Sequence, residues 1–256
     1  MRRALLAGLV GVAAISAQAA PPARPSPLKE GSDFQGADVR ALQADDFANP
    51  MALWVARGET LWGEARNGRS CSGCHGRAEA SMKGVAARYP RWDAGLGRVV
   101  SLPERINACV ERQQDAPRLA AESDDLLGIE AYVARQSRGI PLAVSIDGPA
   151  HPAWEAGRAL YFTRIGQLNL ACTQCHDRSW GRTLLGETVS QGHPTGWPAY
   201  RLEWQRAGSL ERRLRACFNG VRAEMPAYGS PDLVALELYL AWRADGLPLE
   251  APAVRR

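Results

Sequence analysis

The pattern of apolar and polar residues predicts helices and few strands. Apolar side chains recur at helical spacing over residues 125–136 and 232–243, which is typical of a helix with one buried face. A glycine and then a proline follow each of these segments and mark its end, as at Gly139 and Gly246. Residues 51–64 and 151–162 also have the pattern of helices, whereas strand signals are weak throughout. We therefore expect a mainly α fold.

The sequence also repeats itself. The run Ser-Leu that starts at Ser101 and reaches Cys109 recurs from Ser209 to Cys217. Residues 89–92 recur as residues 197–200, and the repeat continues through both C-terminal helix patterns. Such self-similarity indicates tandem structural units. We call residues 50–145 lobe one and residues 150–250 lobe two, and each has an ordinary domain size.

Each lobe contains the motif Cys-x-x-Cys-His, at residues 71–75 and 172–176. Two thiols at this spacing can add to the two vinyl groups of one porphyrin, while the adjacent imidazole coordinates the iron. Zinc knuckles and dithiol redox pairs share the two cysteines, but two copies that both have the following histidine favour c-type haem. The sequence thus predicts two tandem class I cytochrome c-like domains, each with one covalently bound haem. The attachment residues are Cys71, Cys74, Cys172 and Cys175, and the axial histidines are His75 and His176.

Two cysteines remain, Cys109 and Cys217, at the same position of the repeat. Each lies on an apolar helical face, where a ligand facing the haem would lie. We expect Cys109 to bind the iron of haem 1 and Cys217 the iron of haem 2. A disulfide between them, or two inert buried thiols, is the structural alternative. Other candidate ligands are Met225 in a Met-Pro pair, which lobe one lacks, and two histidines without repeat counterparts, His151 and His193.

Arginines surround Cys217 in the sequence, and most of them fit a solvated face. Arg213 differs because it lies one helical turn before Cys217, on the same face, where an unpartnered charge would be costly to bury. Arg105 holds the same place in lobe one, so position alone does not separate a substrate-binding arginine from one that neutralises a haem propionate. The cluster comprises Arg201, Arg206, Arg212, Arg213, Arg215 and Arg222.

The N-terminus has the pattern of an export signal. Residues 1–19 combine basic residues, a short apolar stretch and a small-x-small cleavage site. Residues 20–49 form an N-terminal extension, of which residues 21–27 are predicted to be an extended tether with little packing. With c-type haem, this signal predicts a periplasmic protein. No second apolar segment is long enough to span a membrane, and the formal charge of +4 is too modest for a nucleic-acid binder.

The sequence resembles a known family, SoxA, whose members are the dihaem subunits of the SoxAX cytochromes of bacterial thiosulfate oxidation. The family run Phe/Trp-Pro-x-Tyr-Arg-x-x-Trp-Gln stands at residues 197–205, and Gly-Ser-Leu-x-x-Arg-x-x-x-Cys stands at residues 208–217. The resemblance extends over essentially the whole mature chain. Some members lack the first haem motif, whereas this chain retains it together with Cys109. The Met225-Pro226 pair is not part of the family pattern.

The resemblance implies an enzyme, an L-cysteine S-thiosulfotransferase. SoxA and its monohaem partner SoxX join thiosulfate oxidatively to a cysteine of the SoxYZ carrier, and a soluble cytochrome c takes the electrons. When the roles known in the family are applied to the matching residues, Cys217 is the thiolate ligand of haem 2 and also the catalytic residue, as a cysteine persulfide. Arg213 then binds the substrate. The alternative is a dihaem electron-transfer cytochrome without covalent sulfur chemistry. Turnover of thiosulfate with a carrier protein distinguishes the two.

Overall fold

The structure is a computed structural model that describes residues 24–256. The predicted signal, residues 1–19, lies outside this range. The helices are α1 Ala37–Ala44, α2 Ala52–Gly63, α3 Cys71–His75, α4 Ala78–Ser81, α5 Leu102–Gln113, α6 Asp124–Arg135, α7 His151–Phe162, α8 Cys172–His176, α9 Leu210–Gly220 and α10 Pro231–Arg243. The strands are β1 Arg91–Asp93, β2 Arg98–Val100, β3 Thr183–Leu184, β4 Glu187–Thr188, β5 Ala199–Arg201, β6 Arg206–Gly208 and β7 Ala253–Arg255. Among the described residues, none of the helices is both long and apolar enough to cross a membrane.

Two helix crossings organise the molecule, α2 on α6 and α7 on α10. Both crossings depend on a glycine that lets two backbones approach closely. A Cβ atom on Gly58 would lie 2.0 Å from the carbonyl oxygen of Gly128, and one on Gly157 would lie 1.9 Å from that of Ala235. The repeat seen in the sequence thus corresponds to a repeated packing geometry. The four helices that form these crossings agree with the predicted segments to within one residue at each end.

A short antiparallel hairpin precedes the middle helix of each repeat. In lobe one, β1 pairs with β2 so that Asp93 faces Arg98, and in lobe two β5 pairs with β6 so that Arg201 faces Arg206. The C-terminal strand β7 then adds to β5 in parallel, with Arg201 opposite Arg255. Each hairpin leads into a helix capped by a serine, and that helix, α5 or α9, holds the unattached cysteine.

The N-terminal segment is docked on lobe two, so the prediction of a tether with little packing is wrong for its described part. Arg24 pairs with Asp245 at 3.0 Å and lies over the ring of Trp242. Farther along, the Lys29 backbone N–H donates to Gln191 Oε1 at 2.9 Å. The sequence does not reveal this docking, because these contacts join residues more than 160 positions apart.

The two lobes meet along the ends of α6 and α10 and the segments that follow them. The Leu142 N–H donates to the Leu247 carbonyl at 2.8 Å, and the Gly139 N–H donates to that of Leu249 at 2.8 Å. Three buried carboxyl side chains line a cavity at this junction: Glu130, Glu211 and Glu237. The cavity contains none of the predicted haem ligands.

Candidate functional site

In lobe two, the Cys-x-x-Cys-His turn forms α8, and its histidine is oriented by a neighbouring loop. The His176 Nδ1 atom lies 2.8 Å from the Ser190 carbonyl oxygen. A carbonyl can only accept, so Nδ1 carries the proton and Nε2 is the nitrogen available to a metal. Gly192, at φ +74°, packs against the ring, and a Cβ atom there would lie 3.0 Å from His176 Cγ. The loop therefore holds the imidazole by one hydrogen bond and one close contact.

The residue after His176 belongs to a buried network that the sequence analysis missed. Asp177 accepts a 2.7 Å hydrogen bond from the Tyr161 hydroxyl of α7 and pairs at 2.5 Å with Arg243 of α10. Tyr161 also accepts a hydrogen bond from Arg243. This network ties α8 to the α7–α10 crossing and so fixes the position of the motif.

Lobe one has the corresponding arrangement with different side chains. The Trp62 indole N–H, at the repeat position of Tyr161, donates to the Gly76 carbonyl directly after the motif at 2.9 Å. The Trp62 ring also lies against the His75 ring, with centroids 5.8 Å apart. Ser70 caps α3, since its hydroxyl accepts from the Gly73 N–H at 3.0 Å. Both motifs are thus anchored to the first helix of their repeat.

Each unattached thiol lies close to the motif of its own lobe. Burial raises the pKa of Cys71, and the neighbouring Cys109 raises it further. Burial likewise raises the pKa of Cys172 to about 12, with a second contribution from Cys217. None of the six cysteines forms a disulfide within the described residues, so the alternative of a disulfide between Cys109 and Cys217 is wrong. The two cysteines belong to separate clusters, one in each lobe.

Cys217 faces His176 and two positive charges. Burial raises the pKa of the Cys217 thiol, but Arg213, a hydrogen bond with His176, the charge of His176 and Arg201 more than offset this and lower the pKa to about 7. The histidine of the motif and the thiol from α9 thus face each other. Positive charge beside a sulfur favours the thiolate, the form that binds metals and attacks sulfur.

The competing ligand candidates lie in other surroundings. Met225 is 45% exposed, on the loop after α9. His151 is exposed, and its ring stacks on Trp154 with centroids 5.4 Å apart. His193 is buried, and its Nδ1 lies 2.8 Å from the Lys29 carbonyl oxygen. Among these candidates, only Cys217 has a favourable electrostatic interaction with His176.

The arginines of the cluster fall into two groups, those that bond to another group of the described chain and those that do not. Arg206 donates to the Glu122 carbonyl, Arg212 pairs with Glu122 at 3.8 Å, and Arg215 donates to the Pro226 carbonyl. Within the described residues, Arg213 has no side-chain acceptor in hydrogen-bond or ion-pair range, and neither has the exposed Arg222. In lobe one, by contrast, Arg105 pairs with Asp93 at 3.6 Å. Arg213 is therefore the half-buried arginine on the cysteine face that is available to an external anion.

The donor set fits a covalently attached haem in each lobe. Each motif presents two thiols three positions apart on one helical turn, followed by an imidazole. A third thiol from α5 or α9 approaches the same cluster. Zinc would need a closed set of four ligands, and the described residues contain no group of three or more His, Cys, Asp or Glu side chains arranged to hold a metal ion. A porphyrin that brings its own four nitrogens needs only the two axial ligands.

Comparisons with known proteins identify a cytochrome c domain and a set of relatives that match most of the chain. A family model described as "SoxA/TsdA, cytochrome c domain" matches residues 57–142. The chain is 40% identical to the L-cysteine S-thiosulfotransferase subunit SoxA of Pseudaminobacter salicylatoxidans over 90% of this chain and 82% of the relative. It is 38% identical to that of Rhodovulum sulfidophilum, over 89% and 80%. The structure resembles a chain of the crystal structure of SoxXA from P. pantotrophus, with a TM-score of 0.85, 38% identity and coverage of 89% and 86%.

Proposed function

Because the chain belongs to the SoxA family of L-cysteine S-thiosulfotransferase subunits, we propose that lobe two contains its active site and that Cys217 is the catalytic residue. In this proposal the chain consists of two tandem class I cytochrome c-like domains, residues 50–145 and 150–250. Each domain holds one c-type haem through the two cysteines of its motif. The attachment residues are Cys71 and Cys74 for haem 1, and Cys172 and Cys175 for haem 2.

His75 and Cys109 would bind the iron of haem 1, and His176 and Cys217 would bind that of haem 2. The pairing of Cys217 with His176 supports this assignment in lobe two. The bound haem supplies an acceptor for electrons released during sulfur oxidation. Two separate attachment cysteines hold each porphyrin, so a distal cysteine can exchange partners without release of the cofactor.

Arg213 binds the sulfonate end of thiosulfate, which places the sulfane sulfur at Cys217. Thiosulfate is a dianion, so it supplies the anionic partner that the Arg213 guanidinium does not have among the described residues. Oxidation joins the sulfane sulfur to the Cys217 sulfur, and the electron pair passes out of the site. A thiolate of the carrier then attacks the sulfane sulfur, the bond to Cys217 breaks, and Cys217 leaves as a thiolate. The first step thus forms one sulfur–sulfur bond and releases two electrons, which the soluble cytochrome c accepts, and the second step exchanges that bond for one to the carrier, which retains the complete thiosulfonate group.

The same proposal specifies the partners and the compartment. A monohaem SoxX cytochrome forms a heterodimer with this chain, as the SoxXA crystal structure indicates for its own subunits. SoxYZ presents the acceptor cysteine, thiosulfate is the donor substrate, and a soluble cytochrome c removes the electrons. The predicted export signal at residues 1–19 and the oxidative chemistry fit the periplasm.

One observation carries the choice of lobe: the arginine on the Cys217 face has no carboxylate partner, whereas the one on the Cys109 face pairs with Asp93. The test compares Cys217→Ala with Cys109→Ala in the complex with the monohaem partner. We expect Cys217→Ala to abolish thiosulfate transfer to the carrier at unchanged haem content, and Cys109→Ala to retain it. Substantial transfer by Cys217→Ala would disprove the catalytic assignment.

A further inference from the structure

The two repeats differ in the sign of the charge at the last residue of the first hairpin strand. The last residue of β1 is Asp93, and the last residue of β5, at the same place in the repeat, is Arg201. Asp93 neutralises Arg105 in lobe one at 3.6 Å. In lobe two the residue equivalent to Arg105 is Arg213. The hairpin places the cationic Arg201 there, where lobe one has the anionic Asp93. The Cys217 site therefore differs from the Cys109 site by two units of charge at one residue.

Arg201 is held rigidly in place. It is only 4% exposed. Its Nη2 atom donates to Glu187 at 3.0 Å and also to Glu203, and its guanidinium lies 5.0 Å from the ring centroid of Trp204. Two carboxylates and an aromatic face therefore balance the cost of burying this charge. A group fixed in this way is preorganised to bind a ligand.

One donor of Arg201 has no acceptor. The Nε atom is buried and makes no hydrogen bond, although a buried N–H group normally finds a partner. In lobe one the last residue of the first hairpin strand reaches the arginine of the cysteine face, since Asp93 lies 3.6 Å from Arg105, so the repeat places Arg201 beside Arg213. An anion at this place would satisfy the Nε–H group and stand between two guanidinium groups.

We infer that Arg201 is a second anion-binding residue of the thiosulfate site and that its Nε–H donates to a sulfonate oxygen held also by Arg213. This inference rests on the function proposed above. Two donors from different elements, β5 and α9, fix the orientation of the sulfonate as well as its position. The sulfane sulfur is then directed at Cys217, which one flexible arginine could not ensure.

A carboxylate oxygen of a haem propionate could accept the same hydrogen bond from the Arg201 Nε. The experiment distinguishes a propionate from thiosulfate. The variants are Arg201→Gln, Arg201→Lys and, as the matched control, Arg206→Gln. Arg206 is the cross-strand neighbour of Arg201 and also has a buried Nε without an acceptor, but its Nη2 donates to the Glu122 carbonyl of lobe one. Each variant is assayed as the haem-loaded complex for KM and kcat with thiosulfate, for KM with the carrier and for the reduction potential of each haem.

We expect Arg201→Gln to raise KM for thiosulfate roughly ten- to hundredfold, the effect of losing one hydrogen bond to a charged group. KM for the carrier and the potential of haem 1 should stay unchanged, whereas the potential of haem 2 should fall because a positive charge beside Cys217 is lost. Lysine should restore part of the loss because it restores the charge, and Arg206→Gln should resemble the wild type. An unchanged KM for thiosulfate, or a shifted haem potential with no change in that KM, would overturn the inference.

A variant with the opposite expected effect covers the case in which Arg201→Gln fails to fold. Glu187→Gln removes one of the two carboxylates that neutralise Arg201. The net positive charge at the site then increases, so KM for thiosulfate should fall by about threefold. An unchanged or higher KM would count against Arg201 as an anion-binding residue. Cys217→Ala serves as the reference for the wider proposal. If that variant is inactive while Arg201→Gln and Glu187→Gln both behave as wild type, only the role of Arg201 is rejected.

Discussion

Arg213 and Arg105 hold equivalent positions but have different neighbours, and a matched pair of variants uses this difference. Arg213→Ala should lower kcat/KM for thiosulfate by on the order of tens to hundreds of fold, because a charge-assisted hydrogen bond to the substrate is lost. Arg105→Ala should have a much smaller effect, since it only breaks the pair with Asp93. Steady-state assays at matched haem content measure both. Equal losses would mean that the position is structural in both lobes.

At the scale of single residues, the sequence could predict which cysteines belong together but not which arginine is free. The motif spacing and the repeat suffice to separate Cys109 and Cys217 from the attachment cysteines. Arg213 is available because lobe two has Arg201 where lobe one has Asp93, the partner of Arg105. Both residues lie on hairpins that the weak strand signals did not reveal. A signal was nevertheless present: when the two repeats are aligned, Asp93 stands opposite Arg201.

At the scale of elements, the α7–α10 crossing should not tolerate a side chain at Gly157. A Cβ atom would lie 1.9 Å from the Ala235 carbonyl oxygen, which is backbone and cannot turn away. Gly157→Ala should therefore lower the free energy of unfolding by about 3 kcal/mol, in the upper part of the range for overpacked cores. Thermal unfolding followed by circular dichroism measures the loss.

Gly63→Ala is the control for that measurement. Gly63 is the last residue of α2, and a Cβ atom there would meet nothing within 4 Å. Alanine should be neutral or stabilise the protein by up to about 1 kcal/mol, because it favours the helix. A Gly157→Ala variant as stable as this control would show that the crossing can spread without cost.

The four crossing helices were predictable because each has a long apolar face, a repeat counterpart or both. The three-residue strands were not, since their pairing is decided by distant segments. β7 shows this most clearly: it joins β5 in parallel across some fifty residues of intervening chain. The docking of Lys29 on Gln191 has the same cause, and a polar, proline-rich segment gives no local sign of it.

At the scale of the whole molecule, the junction of the lobes should make stability depend on pH. Burial, together with the smaller effect of the charges of Glu122 and Glu211, raises the pKa of Glu130 to about 8. Burial also raises the pKa of Glu237 well above its ordinary value. A carboxyl whose folded pKa is raised stabilises the fold fully below its unfolded pKa and loses that contribution as the pH rises through the folded value. Stability should therefore fall between about pH 4.5 and pH 8.

Glu130→Gln tests this dependence, because glutamine is a near-isostere that does not titrate. Unfolding midpoints at pH 5 and pH 8 should differ less in the variant than in the wild type, by the equivalent of about 2 kcal/mol or more. Glu59→Gln, a change of an exposed carboxylate on α2, should leave the wild-type difference intact. The prediction is wrong if Glu130→Gln and Glu59→Gln show the same pH dependence.

The docked N-terminal segment has a consequence for a chain cut in two. Residues 24–36 are continuous with lobe one, yet Lys29 bonds to Gln191 and His193, and the Gly31 and Ser32 N–H groups donate to Glu250. A protease site engineered into the exposed segment at residues 147–149 would therefore yield two fragments that remain bound to each other. The fragments should co-elute on gel filtration in native buffer and part only in denaturant. Once folded, the two halves would behave as subunits whose covalent connection is dispensable.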